Sequence, residues 1–258
     1  MKVIVTIQSY NQEKYELNLI QWLLFCFGWA GMQPRLFASY GGKSLENAWM
    51  MICFGIKRIG VGLMLIFLVH QVLLLEIDPK LIDFFSSVIL LVAFSLILHF
   101  GLLSISAGIW RFSGVNASYL FRSPLKSNSL AEFWSRRWNL AFSEMTSIAI
   151  FRPLRTKIGH TWAVFAGFAF SGILHELALS VPVNSGFGLP FLYFLIHGCL
   201  VIFEKILINN QILILQHHVI RKIWVFFWLV VPAPLLFHET FVKQILWPLA
   251  GIDGGWNL

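Results

Sequence analysis

From Phe84 to Trp110 the chain runs through 27 residues without one aspartate, glutamate, lysine or arginine. About 20 mostly apolar residues cross the hydrocarbon of a bilayer, so this stretch predicts a transmembrane helix long enough to tilt. Only 12% of the 258 residues are charged, against 58% hydrophobic, where soluble domains carry about 25% charge. The 25 phenylalanines and 11 tryptophans suit a lipid-facing core with interfacial belts. The apolar stretches are continuous, not alternating over roughly ten residues, which argues against a β-barrel. The fold class expected is an all-α, polytopic membrane protein.

Six spans are predicted: Leu17–Met32, which is short; Ile59–Leu75, starting as early as Ala48 if Lys57 and Arg58 snorkel; Phe84–Trp110; Thr161–Val181; Phe187–Ile208; and Ile223–Phe241. Pro232 and Pro234 should break or kink the last. Lysine and arginine gather in cytoplasmic loops. The connections 33–58, 111–160 and 209–222 are basic, whereas Glu76–Asp83 is acidic and Pro182–Gly186 uncharged. With six spans, that alternation puts both termini outside. It also gives the net charge of +7 a membrane origin, so no nucleic-acid partner is expected. Cys26, Cys53 and Cys199 fall in or beside apolar segments without a C-x-x-C pair, supporting neither a disulfide framework nor a zinc site. No cleavable signal peptide, repeat or linker is evident, and residues 1–258 read as a single membrane-embedded domain.

The basic connection 111–160 is too long to be a mere link. Within it, Ser129 and Glu132 fit a capping box. Leu130, Phe133, Trp134, Trp138, Ala141, Phe142 and Met145 recur at three- and four-residue steps. The pattern predicts one amphipathic interfacial helix in a cytoplasmic loop, with Glu132 and Arg136 paired four residues apart. A helix that merely lies on a membrane accounts for its tryptophans and arginines, but has no use for Asn139.

Ionisable residues inside spans are costly and are functional candidates by default. His70, His99, His197 with Glu204, and His238 with Glu239 all qualify, and each has a bland alternative in an interhelical hydrogen bond. His175, in "SGILHELALSVP", stands out because Ser171 lies one turn earlier on its face, placed to orient the imidazole. Glu176 is rotated about 100° away and is better placed to bind a neighbouring helix. Burial disfavours a charged imidazole, and a general base has to be neutral. No H-x-x-x-H or H-x-x-H-H box accompanies His217 and His218, as a di-iron enzyme would need, and no G-x-S-x-G marks a serine hydrolase.

Together, "EFWSRRWN" and, 36 residues after Asn139, the histidine of "SGILHE" resemble the membrane-bound O-acyltransferase superfamily, in particular its wax-synthase-like branch with an F-W-x-R-R-W-N box. The F-Y-x-D-W-W-N box of sterol and diacylglycerol acyltransferases differs at Ser135, Arg136 and Arg137. "GWAGMQPRLF" is similar to an element of bacterial members, and "YFLIHGCLVIFEK" to a segment that makes His197, Gly198 and Glu204 family positions. The likeness runs from about Gly28 to Trp247, in a chain shorter than many members.

The resemblance implies transfer of a fatty acyl group from acyl-CoA, the donor substrate, to the hydroxyl of a lipid or alcohol, giving a wax or steryl ester, with no metal and no further cofactor. It makes His175 the catalytic histidine and Asn139 its paired asparagine, which positions the thioester or donates to developing negative charge. Arg136 and Arg137 become candidates for the CoA phosphates, backed by Arg122, Lys126, Arg152, Arg155 and Lys157. Trp134, Trp138, Ser171 and Glu176 complete the expected substrate-binding set. Because His175 falls 14 residues into its span, roughly 21 Å along a helix, meeting Asn139 requires the interfacial helix to dip inward or a cavity to reach down from the cytoplasmic side, and such a cavity is expected. Alternative readings are a transporter or lipid-binding scaffold with structural histidines, and a family member that is inactive or moves another acyl group. The bacterial-like first element points to a bacterial cytoplasmic membrane, with the endoplasmic reticulum as the alternative. Membrane lipids are expected partners.

Overall fold

A computed structural model describes residues 1–12, 16–75, 78–211 and 217–252, and these form helices and turns with no strand among them. Glu76 of the acidic connection and residues 212–216 of the last basic one lie outside the described residues. The chain divides into two compact units, Met1–Phe121 and Arg122–Leu258.

In the first unit, α1 (Lys2–Gln12) and α2 (Leu19–Gly28) precede the long helices α3 (Ala48–Val72) and α4 (Pro79–Phe112). The apolar faces of α3 and α4 meet where glycine lets backbones approach, as membrane helices commonly do. A Cβ on Gly55 would lie 2.6 Å from Ile105, and one on Gly101 2.5 Å from Ile59. The predicted span Leu17–Met32 becomes only the ten-residue α2, roughly 15 Å long and half of what a bilayer needs. Asn18 caps its start, with Gln21 answering, and extended Trp29 ends it. Among the described residues, the helices long and apolar enough to cross a membrane are therefore five: Ala48–Val72, Pro79–Phe112, the stretch Leu140–Ser180, Leu189–Asn209 and His218–Leu236.

The second unit begins with α5, residues 130–137. Ser129 caps it by accepting from the Glu132 N–H at 2.9 Å, as the capping box predicts. The Glu132 carboxylate bonds Asn128 N–H rather than that of Ser129. The predicted single interfacial helix does not form. Residues 133–137 widen into a π-helical turn, Trp138 is extended, and Asn139 turns left-handed at φ 42°. Asparagine is among the few non-glycine residues that adopt that conformation readily, and its side chain restarts the helix by accepting from Phe142 N–H at 3.2 Å. The π turn also moves the ion pair. Arg137, five residues on, meets Glu132 at 2.6 Å, in place of the expected Arg136.

From Leu140 the chain is helical to Ser180 almost without interruption. Those 41 residues extend roughly 60 Å, twice a bilayer's hydrocarbon. The run folds back at Gly159, whose φ of 81° and ψ of 169° lie in a region reserved for glycine. The result is a helical hairpin of α6 (residues 140–158) and α7 (residues 160–180). Its arms are antiparallel. Phe151 meets His160 with ring centroids 5.4 Å apart, the Thr146 methyl reaches Gly167, and Phe142 meets His175. The predicted span Thr161–Val181 coincides with α7. α8 (Leu189–Asn209) packs on α7 through Gly172 against Phe191, and Gly198 against Phe165 and Phe168. α9 (His218–Leu236) follows, interrupted by a turn at Val231–Pro232 where Pro232 and Pro234 predict a break.

Candidate active site

Two buried contacts dock α5 on α8. The Glu204 carboxylate, 3% exposed, accepts from Leu130 N–H at 2.9 and 3.1 Å and from Ala131 N–H at 3.4 Å. One turn further along α5, the Trp134 ring lies edge-on to His197 at 5.3 Å and against Phe194 at 5.6 Å. His197 and Glu204, seven residues apart on one face of α8, thus hold residues four apart on α5. As α5 proceeds it follows α8 backward from Glu204 towards Phe194, and the helix breaks at Trp138 and Asn139 before Phe142 packs on α7.

Phe142 joins the two motif residues there. Its N–H is held by Asn139 Oδ1 at 3.2 Å, and its ring packs edge-on to His175, centroids 5.5 Å apart. On the other side Phe194 lies over His175 at 4.2 Å. The imidazole is oriented by the Ser171 carbonyl, 2.7 Å from Nδ1. A carbonyl oxygen only accepts, so Nδ1 carries the proton and Nε2 keeps its lone pair. The expected role of the Ser171 hydroxyl is corrected: that hydroxyl bonds back to Gly167 C=O at 2.9 Å, as helical serines do, and the residue's carbonyl does the orienting. Glu176 behaves as its rotation predicts. Its Oε1 accepts from Phe191 N–H at 2.9 Å, in the first turn of α8, which ties the helix carrying Phe194 to the helix carrying His175.

Phe142 thus touches both Asn139 and His175, the Ser171 carbonyl holds His175, and Trp134 packs on Phe194. Trp138 stacks on Phe133 at 5.4 Å. Arg137 is committed to Glu132 and to the carbonyls of Arg122 and Ser123. Burial pushes the Glu132 carboxyl up, but the Asn128 N–H and the Arg137 guanidinium outweigh it and hold the group below the usual carboxylate range. Arg136 lines a cavity of about 440 Å³ whose walls include neither Asn139 nor His175. Phe142 and Phe194 are contacts that spacing did not single out; both read as ordinary members of apolar stripes. Buried Trp134 Nε1 and Thr146 Oγ1 have no hydrogen-bond partner among the described residues.

Residues 117–196, which contain Asn139, His175 and both phenylalanines, match the membrane bound O-acyl transferase family. This segment is similar to that family, and the described helices are those of an integral, multi-pass membrane protein. The likeness within it is to the wax-synthase-like branch, as the motifs lead one to expect. Probable long-chain-alcohol O-fatty-acyltransferase 6 of Arabidopsis thaliana is 35% identical over 63 residues, 22% of this chain and 18% of that protein. The long-chain-alcohol O-fatty-acyltransferase of Simmondsia chinensis is 32% identical over 65 residues, 22% of this chain and 18% of its own. Probable long-chain-alcohol O-fatty-acyltransferase 2 of Arabidopsis thaliana is 27% identical over 140 residues, 51% of this chain and 41% of its own. Each likeness takes in less than half the relative's length. These relatives are plant proteins, so the expected bacterial membrane draws no support from them.

Proposed function

We propose that this chain is an acyltransferase that moves a fatty acyl group from acyl-CoA to the hydroxyl of a long-chain alcohol or similar lipid, giving a neutral ester. The observation that carries this reading is the tautomer of His175: with Nδ1–H given to Ser171 C=O, Nε2 is left as a base beside the Asn139–Phe142 turn. The family match over residues 117–196 and the names of the relatives support it.

Nε2 takes the proton of the acceptor hydroxyl as its oxygen attacks the thioester carbonyl. The carbonyl oxygen gains negative charge, for which the Asn139 NH2 is a donor, since Oδ1 is occupied by Phe142 N–H. Collapse forms the ester C–O bond and breaks C–S; the departing thiolate takes the proton back from His175. Trp134 Nε1–H and the Thr146 hydroxyl, buried near this point, are suited to polar groups along the donor's arm. Phe194 holds the imidazole flat. The membrane proposed is the endoplasmic reticulum, following the plant relatives.

The test incubates purified protein in nanodiscs with labelled acyl-CoA and a panel of long-chain alcohols and sterols. Ester formed by the wild type and lost in His175→Ala supports the reading. Full turnover by His175→Ala removes the base from it.

A further inference from the structure

Helix α2 leaves an apolar stripe uncovered. Leu19, Ile20, Leu23 and Phe27 recur at helical spacing on one side, with Leu19 71% and Phe27 85% exposed. Phe25, on the opposite side, is fully buried and packs on Phe37. Both ends of this helix are tied to the same end of α4. Near its start, Gln21 Nε2 donates to Ala38 C=O at 3.3 Å, and the hydroxyl of the next residue, Ser39, donates to Gly114 C=O at 2.8 Å. At its finish, Trp110 Nε1–H donates to Gly28 C=O at 3.0 Å. Gly114 follows Trp110 by four residues, and this end of α4 leads into the basic connection 111–160. A Cβ on Gly108 would lie 2.7 Å from the Ala48 carbonyl oxygen, so exposed Trp49, in the first turn of α3, stands near the level of Trp110. Tryptophans gathered at one level mark a membrane–water boundary. Helix α1 starts beside the same end: Lys2 Nζ donates to Trp29 C=O at 2.8 Å, and Val3, Ile4 and Ile7 form a second exposed stripe.

We propose that α2 lies in the cytoplasmic interface of the bilayer, with the stripe from Leu19 to Phe27 in the hydrocarbon and both of its ends on the cytoplasmic side. A helix roughly 15 Å long cannot cross a membrane. One with a single apolar face binds the boundary between headgroups and acyl chains instead, buried by about 5–10 Å. The partner is lipid, not a second protein, for two reasons. The stripe sits beside the tryptophan level of α3 and α4, whose outer faces already need hydrocarbon. Exposed Lys43, in the adjoining connection, suits the anionic headgroups of a cytoplasmic leaflet. Nothing in this placement depends on acyl transfer. Residues 16–47 then lie on the cytoplasmic side, whereas a sixth span at Leu17–Met32 would put the residues before it outside.

The experiment measures depth and side. Nitroxide labels are attached through Leu19→Cys, Leu23→Cys and Phe27→Cys in the full chain, with Cys26, Cys53 and Cys199 replaced by serine, in phosphatidylcholine nanodiscs. Power-saturation EPR with oxygen and a water-soluble nickel chelate should place all three labels about 5–10 Å below the phosphates, at nearly equal depth. A helix entering the bilayer end-on would carry the label at residue 27 roughly 12 Å deeper than the label at residue 19, and that gradient overturns the proposal. Nickel-chelate access at all three positions overturns it too, because the stripe then faces water or another protein. In sealed vesicles of uniform orientation, a membrane-impermeant maleimide should reach Glu16→Cys and Lys43→Cys from one face. It should reach Lys80→Cys, in the acidic connection, from the other. If Glu16→Cys reacts from the same face as Lys80→Cys, α2 crosses the membrane and the interfacial placement is wrong. Each variant is used only if its thermal midpoint matches that of the unlabelled parent, and Ile20→Cys, exposed on the same side, replaces any that does not.

Discussion

Replacing Glu204 by alanine tests whether two contacts set the position of the whole motif. The Leu130 residue is fully buried, so losing both carboxylate oxygens strands its N–H away from water, at about 1–3 kcal/mol. The longer bond to Ala131 N–H adds about 1 kcal/mol more. A total near 3 kcal/mol corresponds to about a hundredfold shift in the docking equilibrium of α5. Glutamine keeps one neutral acceptor and should lose only about 1 kcal/mol, or roughly fivefold. Hydrogen exchange measured by mass spectrometry on peptides covering residues 128–140, in nanodiscs, reads this directly. Exchange in that segment should accelerate about a hundredfold in Glu204→Ala and a few-fold in Glu204→Gln, while peptides from α3 stay as they were. If Glu204→Ala leaves residues 130–137 as protected as in the wild type, Trp134 alone holds α5 and the two-point account is wrong.

Three further outcomes are expected. Gly159→Ala places a Cβ where nothing lies within 4 Å, so its cost is purely conformational, about 1–3 kcal/mol; an unchanged thermal midpoint would mean the hairpin turn relaxes without glycine. The Glu132–Arg137 pair should stabilise the fold fully above the ordinary carboxylate range. It should be lost as pH falls through the lower value Glu132 has when folded, so the acid limb of a stability profile flattens in Glu132→Gln. Phe142→Ala keeps the N–H that Asn139 caps but removes the ring against His175; kcat should fall roughly tenfold or more with KM nearly constant, and Phe142→Leu should restore part of it.

The long spans were legible because hydrocarbon tolerates almost no charge, and α7 and α8 fall close to where the apolar runs put them. Leu17–Met32 misled because composition marks apolarity, not helix length, and a capped start with an extended Trp29 confines the helix to ten residues. The stripe from Leu130 to Met145 misled for a different reason. Its three- and four-residue spacing continues straight through Trp138 and Asn139, so periodicity has no means of marking a left-handed turn between two short faces. The histidine and asparagine were visible as misfits in their surroundings. The packing of Phe142, which Asn139 caps, against His175 was not, because it depends on Gly159 reversing a helix and on a carboxylate in α8 capping α5. These are tertiary facts with no local signature.

The left-handed backbone at residue 139 narrows what this position can ever become. Glycine accepts the conformation but has no side chain to restart the helix. Aspartate accepts it and caps, yet brings a negative charge and no N–H to a place where the proposed reaction develops negative charge. Serine caps well but resists the backbone angle, and glutamine is one methylene too long for the cap. Asparagine meets all three demands with one planar group, its oxygen spent on the fold and its nitrogen left for the role proposed above. A lineage that drifts at this residue would have to give up shape and reactivity separately, so the substitutions it tolerates would tell which of the two selection still maintains.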